Sequence, residues 1–288
     1  MKATTMIRTV IFVMALAVAV PMLASACGGG GGAVGEWMHA QQPTTWVVVV
    51  DVTQSTRDAR RSYLVALERT LSAVTYGDRV VVMSAENASV VDADLWVEEQ
   101  LPRFSFTPST PRPDTDNDLL LQAWVDEQNQ SYRTGLAAFR RMHDLVKVRA
   151  LILAHVRPHV LGDVAAGTDL FGALYVAGTL MEGGGANRVV LITDGLVQTS
   201  GVDWRRGKVA SSSVDRLVKD QRKGGELPSL HGARVMLVGA STQADDFASL
   251  RAAWCRYLRA ADGQLEPQYF MSKFSSTLFG QWVAGVRG

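Results

Sequence analysis

Cysteine is almost missing from this chain of 288 residues: Cys27 and Cys255 are the whole supply. That excludes a disulfide-stapled scaffold and any site built from thiolate clusters. Histidine is scarce too, with five residues, and the pair at ligand spacing, His155 and His159, has no cysteine or acid set to complete a zinc site. Neither charge prevails, since 29 basic residues stand against 28 acidic ones for a net charge of +1. Lys2 and Arg8 are the only charges before Cys27, so the remainder is close to neutral and nucleic acid is not an expected partner. Long apolar runs are absent as well. The stretch from Thr9 to Met22 falls short of the roughly 20 residues that span a bilayer.

What is there begins with that short run. Two positive residues, an apolar segment and the small-residue end Leu23, Ala24, Ser25, Ala26 make residues 1–26 a secretory signal. Two processing routes stay open. Ala24 to Ala26 fits an ordinary A-x-A cleavage site, whereas small residues directly before a cysteine resemble a bacterial lipobox, with Leu23 one position further from Cys27 than is usual. Lipidation of Cys27 is the favoured reading, because Gly28 to Gly32 then belong to a flexible tether over 27–43 that lets a folded domain stand off from a surface. The expectation is an exported protein held by lipid at the cell membrane, on its periplasmic or extracellular face, with free secretion as the other outcome.

Hydrophobic residues make up 47% of the chain, enough for the core of one α/β unit of roughly 200 to 230 residues. The elements follow the order strand, helix, strand, insertion, helix, strand, helix, strand, helix. This predicts a doubly wound, mostly parallel sheet with helices on both faces. The pattern places strands at Val47 to Val50, Arg79 to Met83, Leu101 to Pro108, Ala233 to Val238 and Gln268 to Met271, and helices at Ser55 to Val74 and Asp245 to Ala261. An insertion at about 86–160 carries one long helical pattern from Leu119 to about His155, expected to pack across the sheet and deliver the loop that holds Thr168. Pro158 is expected to break any helix that would align His155 with His159. Cys255 reads as a small buried residue.

The four valines Val47 to Val50 run directly into Asp51, Thr53 and Ser55. A carboxylate and two hydroxyls at alternate positions, at the carboxyl end of a buried strand, form a cluster of hard oxygens suited to a small divalent cation. Far downstream, Arg188 to Gly195 repeats the plan of an apolar strand ending in an acid, Asp194. Between the two, Thr168 and Asp169 sit at the mouth of an apolar, helix-like segment. These elements resemble, in order, the von Willebrand factor type A domain with its metal-ion-dependent adhesion site, and the Gly77, Asp78 turn resembles another of its elements. The resemblance covers roughly residues 44 to 275, within a domain spanning 44–288, and departs from the family at Thr53, where serine is usual.

The resemblance implies that Thr53, Ser55 and Thr168 bind a cation directly, usually magnesium, with manganese or calcium as other divalent choices. Asp51 and Asp194 would supply charge and orientation. One coordination position would stay open for an acidic residue of a protein partner, with Asp169, Trp204, Arg205 and Arg206 at the fringe of that contact. The competing reading is a magnesium-dependent hydrolase or phosphotransferase, since doubly wound folds with strand-end aspartates also host such chemistry. A binding module is favoured, because Thr53 stands where a second aspartate would act as acid and base, and no histidine base or serine elbow stands out.

Overall fold

The computed structural model describes residues 35–39, 42–85, 94–162, 167–181, 186–199, 202–204, 209–241 and 244–285; the signal segment, Cys27 and the glycine run lie outside them. Strand β1 (Thr44–Val50) holds the centre, and Val47 to Val50 are essentially inaccessible to solvent. A strand covered on both faces needs no polar alternation, which is why four consecutive valines suit it. It pairs in parallel with β2 (Arg79–Ser84) on one side and β4 (Ala186–Ile192) on the other, so that Val48 lies level with Val82 and with Val190. Beyond β2 lies the antiparallel edge strand β3 (Leu95–Gln100). A two-stranded hairpin, β5 (Gln198–Thr199) and β6 (Val202–Asp203), stands apart from the main sheet. On the other flank come β7 (Arg234–Val238) and the short β8 (Phe270–Met271), both parallel. The order is β3-β2-β1-β4-β7-β8.

The chain steps from β1 to β2 in one direction along the sheet and from β4 to β7 in the other. Right-handed crossovers then put α1 (Arg60–Ala73) on one face and, on the other, α5 (Ser211–Gly224) and α6 (Ala244–Ala260). The insertion supplies α2 (Asp118–Met142) and α3 (Leu145–Gly162), and α3 lies against α1 and β3. Helix α4 (Leu170–Leu180) joins the second face, where its Phe171 ring is 4.5 Å from that of Tyr257. Helix α7 (Ser276–Ala284) brings Trp282 to 6.0 Å from Trp46, and the Arg188 guanidinium lies 4.5 Å over the Trp46 ring. The fold is therefore the doubly wound α/β class expected from the sequence. Among the described residues no helix is long and apolar enough to cross a membrane.

Several local expectations are corrected. The helix after Ser55 begins as a 3-10 turn over Gln54–Ala59 and becomes α-helical only at Arg60, because Thr56 spends its hydroxyl on the carbonyls of Asp51 and Thr53 instead of letting the turn relax. The strand expected at Leu101 to Pro108 is not a strand: β3 ends just before it. Its alternating burial is spent on α2, where Phe104 and Phe106 meet Tyr132 at 5.7 and 5.4 Å. The single long helix is two, broken at His143 and Asp144, where the Asp144 carboxylate accepts from the Lys147 amide at 3.1 Å and so starts α3 as an N-cap does. Pro158 does not break α3. It lies on the exposed side, where water can take the carbonyl its ring leaves free, and His155 and His159 stand one turn apart with rings 5.8 Å apart. His159 stacks instead on Trp96 at 5.2 Å. Cys255 is half-buried, and that burial pushes its thiol up, away from the nucleophilic thiolate.

At the opposite end of the sheet from the strand-end acids, Asp78 acts as an inner clasp. Its carboxylate accepts from the Thr44 amide at 2.9 Å, the Trp46 indole at 3.1 Å and the Thr75 amide at 2.7 Å, which ties β1 to the turn before β2. A buried carboxylate is tolerated when it is so fully bonded.

Candidate metal centre

Asp51 follows β1 and Asp194 follows β4, the two neighbouring strands at which the connections reverse direction. Ligands of open α/β sheets collect at such a switch point. The Asp51 amide donates to the Ile192 carbonyl at 2.9 Å and the Thr193 amide to that of Val238 at 2.9 Å, so the sheet's own ladder fixes where both loops leave.

Asp51 is fully buried, and both of its carboxylate oxygens are taken. Oδ1 accepts from the Thr53 amide at 3.0 Å, the Thr53 hydroxyl at 2.7 Å and the Thr168 hydroxyl at 3.4 Å. Oδ2 accepts from the Thr193 hydroxyl at 2.9 Å. The Thr53 and Ser55 hydroxyls are 3.1 Å apart, and Ser55 also hydrogen-bonds to Asp194. Asp194 Oδ1 accepts from the Leu196 amide at 2.9 Å. The structure thus brings together the five side chains named from the sequence, contributed by three loops. Ser55 is exposed and Thr168 and Asp194 half-buried, which leaves the cluster open on one side. Thr53 keeps its hydroxyl within the cluster while its methyl group shares the burial of the loop.

Burial pushes the Asp51 carboxyl upward, opposed by the hydrogen bonds from Thr53, Thr193 and Thr168. Burial also raises Asp194, to about 6, and the nearby Asp51 carboxylate adds to the rise. Two carboxylates in a buried hydroxyl cluster, each held above its ordinary range, are what a divalent cation would relieve. The hydroxyls of Thr53, Ser55 and Thr168 beside the two carboxylates are hard oxygen donors, which would fit magnesium, manganese or calcium. Without metal, native Asp194 keeps its proton to higher pH than the unfolded chain does, so stability falls as pH rises from about 4 to about 6 and is level beyond. A bound cation would have to displace that proton. Calorimetric titration should show magnesium affinity rising by up to about tenfold per pH unit below pH 6 and flattening above about pH 7. A flat profile from pH 5 to 8 would remove Asp194 from the site.

The fringe expected from the sequence is redrawn. Asp169 uses Oδ1 to accept from the Gly172 amide at 2.8 Å, capping α4. Trp204 is core, not rim: it is buried with its ring 5.4 Å from Phe171 and 5.5 Å from Trp254, because the hairpin folds it back onto the second face. Arg205 and Arg206 lie outside the described residues. Three contributors were missed. Thr193 was visible as the hydroxyl between the strand and Asp194, yet nothing marked it as the donor to Asp51. Arg60 is buried and donates to the Val52 carbonyl at 2.5 Å and to the Leu161 carbonyl at 3.5 Å, which joins the first site loop to the end of α3; in sequence it is one of several arginines. Tyr63 stands behind the pair, its hydroxyl pushed up by burial and by the charges of Asp194 and Asp51.

No family model matches the chain, and no curated protein does either. Among solved structures the chain is similar to the pilus adhesin SpaC of Lactobacillus rhamnosus GG, in its open conformation, at 10% identity and a TM-score of 0.41, covering 86% of this chain and 30% of that one. It is also similar to a von Willebrand factor type A protein of Catenulispora acidiphila, at 13% identity and a TM-score of 0.37, covering 85% of this chain and 42% of that one. An aerotolerance-related membrane protein of Bacteroides fragilis aligns at 12% identity and a TM-score of 0.39, over 84% of this chain and 99% of its own. The chain spans less than a third of the adhesin's length.

Proposed function

We propose that the chain is an exported binding module that holds a divalent cation, magnesium in the first instance, and uses it to engage an acidic residue of a protein partner. The observation that supports this is the cluster itself: Thr53 Oγ1 lies 2.7 Å from Asp51 Oδ1 and 3.1 Å from the exposed Ser55 hydroxyl, with the carboxyl of Asp194 bonded to Ser55. Thr53, Ser55 and Thr168 contribute neutral oxygens, and Asp51 and Asp194 hold those hydroxyls in place. A cation bound mainly by neutral hydroxyls keeps enough positive charge to attract a carboxylate from outside. A nucleophilic role for Asp51, as a hydrolase or phosphotransferase would need, is disfavoured because its two oxygens are committed to four donors and closed to solvent.

The test is capture of partners from surface or periplasmic extract on immobilised protein, with magnesium and with excess chelator. Thr168→Ala is the cleaner variant, since its hydroxyl makes only a long contact, whereas Asp51→Ala would strand buried donors of Thr53 and Thr193. Partner capture in magnesium, lost in chelator and in Thr168→Ala, is the expected result. Capture that survives chelator would take the cation out of the function, and metal-dependent turnover of phosphate esters abolished by Asp51→Asn would favour the enzyme.

A further inference from the structure

Helix α3 carries a face that the rest of the domain does not use. Its inner half, with Ile152, Val156 and Val160, is buried against the sheet side, while Val146 is 72% exposed, Leu151 61% and Leu161 47%. Ala150, Ala154 and Pro158 are exposed as well. At 3.6 residues per turn these apolar positions share the outer half of the helix with Lys147, His155 and Arg157, and from Leu145 to Gly162 there is no acid. Just before it come Arg140, Arg141 and the 75% exposed Met142, followed by one exposed acid, Asp144, whose carboxylate accepts from the Lys147 amide at the helix start. A surface helix of a neutral protein ordinarily turns a mixed, acid-containing face to water. This one turns apolar side chains and cations.

We infer that the outer face of α3 rests on an anionic lipid bilayer. Apolar residues entering the acyl boundary beside cations that reach the headgroups are the chemistry of an interfacial helix, and an acid-free face is complementary to anionic lipid and not to a surface of mixed charge. The described chain begins in the right place for this. Glu36 pairs with Arg133 of α2 and donates its amide to Asn129 at 2.9 Å, and Trp37 lies 5.9 Å from Trp124, so the described amino end of the chain is held against α2, the helix that leads into α3. Arg133 lies about 14 Å along α2 from its last residue, Met142, just before α3. The inference rests on the membrane-tethered reading of the amino-terminal segment. Because the Leu161 carbonyl accepts from Arg60, beside the first site loop, the cation cluster lies near the carboxyl end of α3, at one edge of the face laid on lipid.

The experiment is hydroxyl-radical footprinting of the full chain, read by mass spectrometry at Leu151 and Leu161, with exposed His231 in the turn before β7 as control. Vesicles of phosphatidylglycerol in phosphatidylcholine are compared with phosphatidylcholine alone and with solution. On the anionic vesicles labelling of Leu151 and Leu161 should fall at least about threefold, return at high salt, and leave His231 unchanged. K147E combined with R157E, both exposed positions, should abolish that protection without altering the circular dichroism spectrum. Full chain that sediments with vesicles yet labels at Leu151 and Leu161 as in solution overturns the α3 contact while sparing the tether; chain that does not sediment overturns both. Protection that grows with protein concentration in the absence of vesicles assigns the face to a second copy and overturns the lipid contact.

Discussion

Adding magnesium to metal-free protein, at about 100 times its dissociation constant, raises the melting temperature by about 5–10 °C. A ligand at that excess contributes about 2.7 kcal/mol, and a domain of this size gains about 2–4 °C per kcal/mol. The gain is expected because burial holds both the Asp51 and Asp194 carboxyls above their ordinary range and the Asp51 charge adds to the rise at Asp194, with nothing of opposite sign among the five clustered side chains. Asp51→Asn tests the sign of that statement. Its remaining carbonyl can still accept from Thr53, and the end of the repulsion on Asp194 offsets the lost acceptor of the Thr193 hydroxyl, so the metal-free variant should melt close to the wild type while its response to magnesium disappears. Calorimetry with and without chelator reads both. A wild type indifferent to magnesium, or a variant that responds equally, would dismiss the cation site.

Gly239→Ala is expected to destabilise the protein by about 3 kcal/mol or more, from left-handed backbone and overpacking together. Gly239 has φ +101°, and an added Cβ would lie 2.6 Å from Tyr63 Cε1 and 2.9 Å from the Thr193 carbonyl. Neither neighbour can retreat easily. The Thr193 amide is bonded to the Val238 carbonyl and the Gly239 amide to that of Met271, while Tyr63 fills the core behind the site. The shift would also move the Thr193 hydroxyl off Asp51, so cation affinity should fall together with stability. Gly232→Ala is the control: φ is +70° there too, but no atom lies within 4 Å of the added Cβ, and a loss of only about 1 kcal/mol is expected. Urea unfolding that ranks the two variants equally would show that crowding behind the site is not what matters.

The sheet was legible because burial on both faces leaves a plain signature, the valine run of β1 and the apolar strand before Asp194, and the clustering of the five candidate residues was legible because they stand in loops at strand or helix ends. What was not legible depended on partners distant in sequence. Alternation at Phe104 and Phe106 reads equally as strand or as a segment lying on a helix, and only the position of Tyr132 decides. Trp204 in a basic run reads as solvated until the hairpin turns it toward Phe171 and Trp254. Pro158 is a helix breaker only where the freed carbonyl is dry. Arg60 and Thr193 have no local pattern at all, since their roles are defined by carbonyl and carboxylate groups that other segments bring to them.

The parallel register has a consequence for the order of events in folding. Thr44 is paired with Ala186, so the first strand made is the central one and cannot be completed until most of the chain exists. Pairings of such long range are slow, because loop closure precedes any reward from contact. Were the chain exported unfolded, as the proposed function implies, it would gain from that delay by staying threadable. The loops after β1, before α4 and after β4 meet only when β4 docks, and the five oxygens form a set no earlier than that. Cation uptake would then be among the last steps of maturation, and a time course of metal binding during refolding would mark the arrival of the finished molecule.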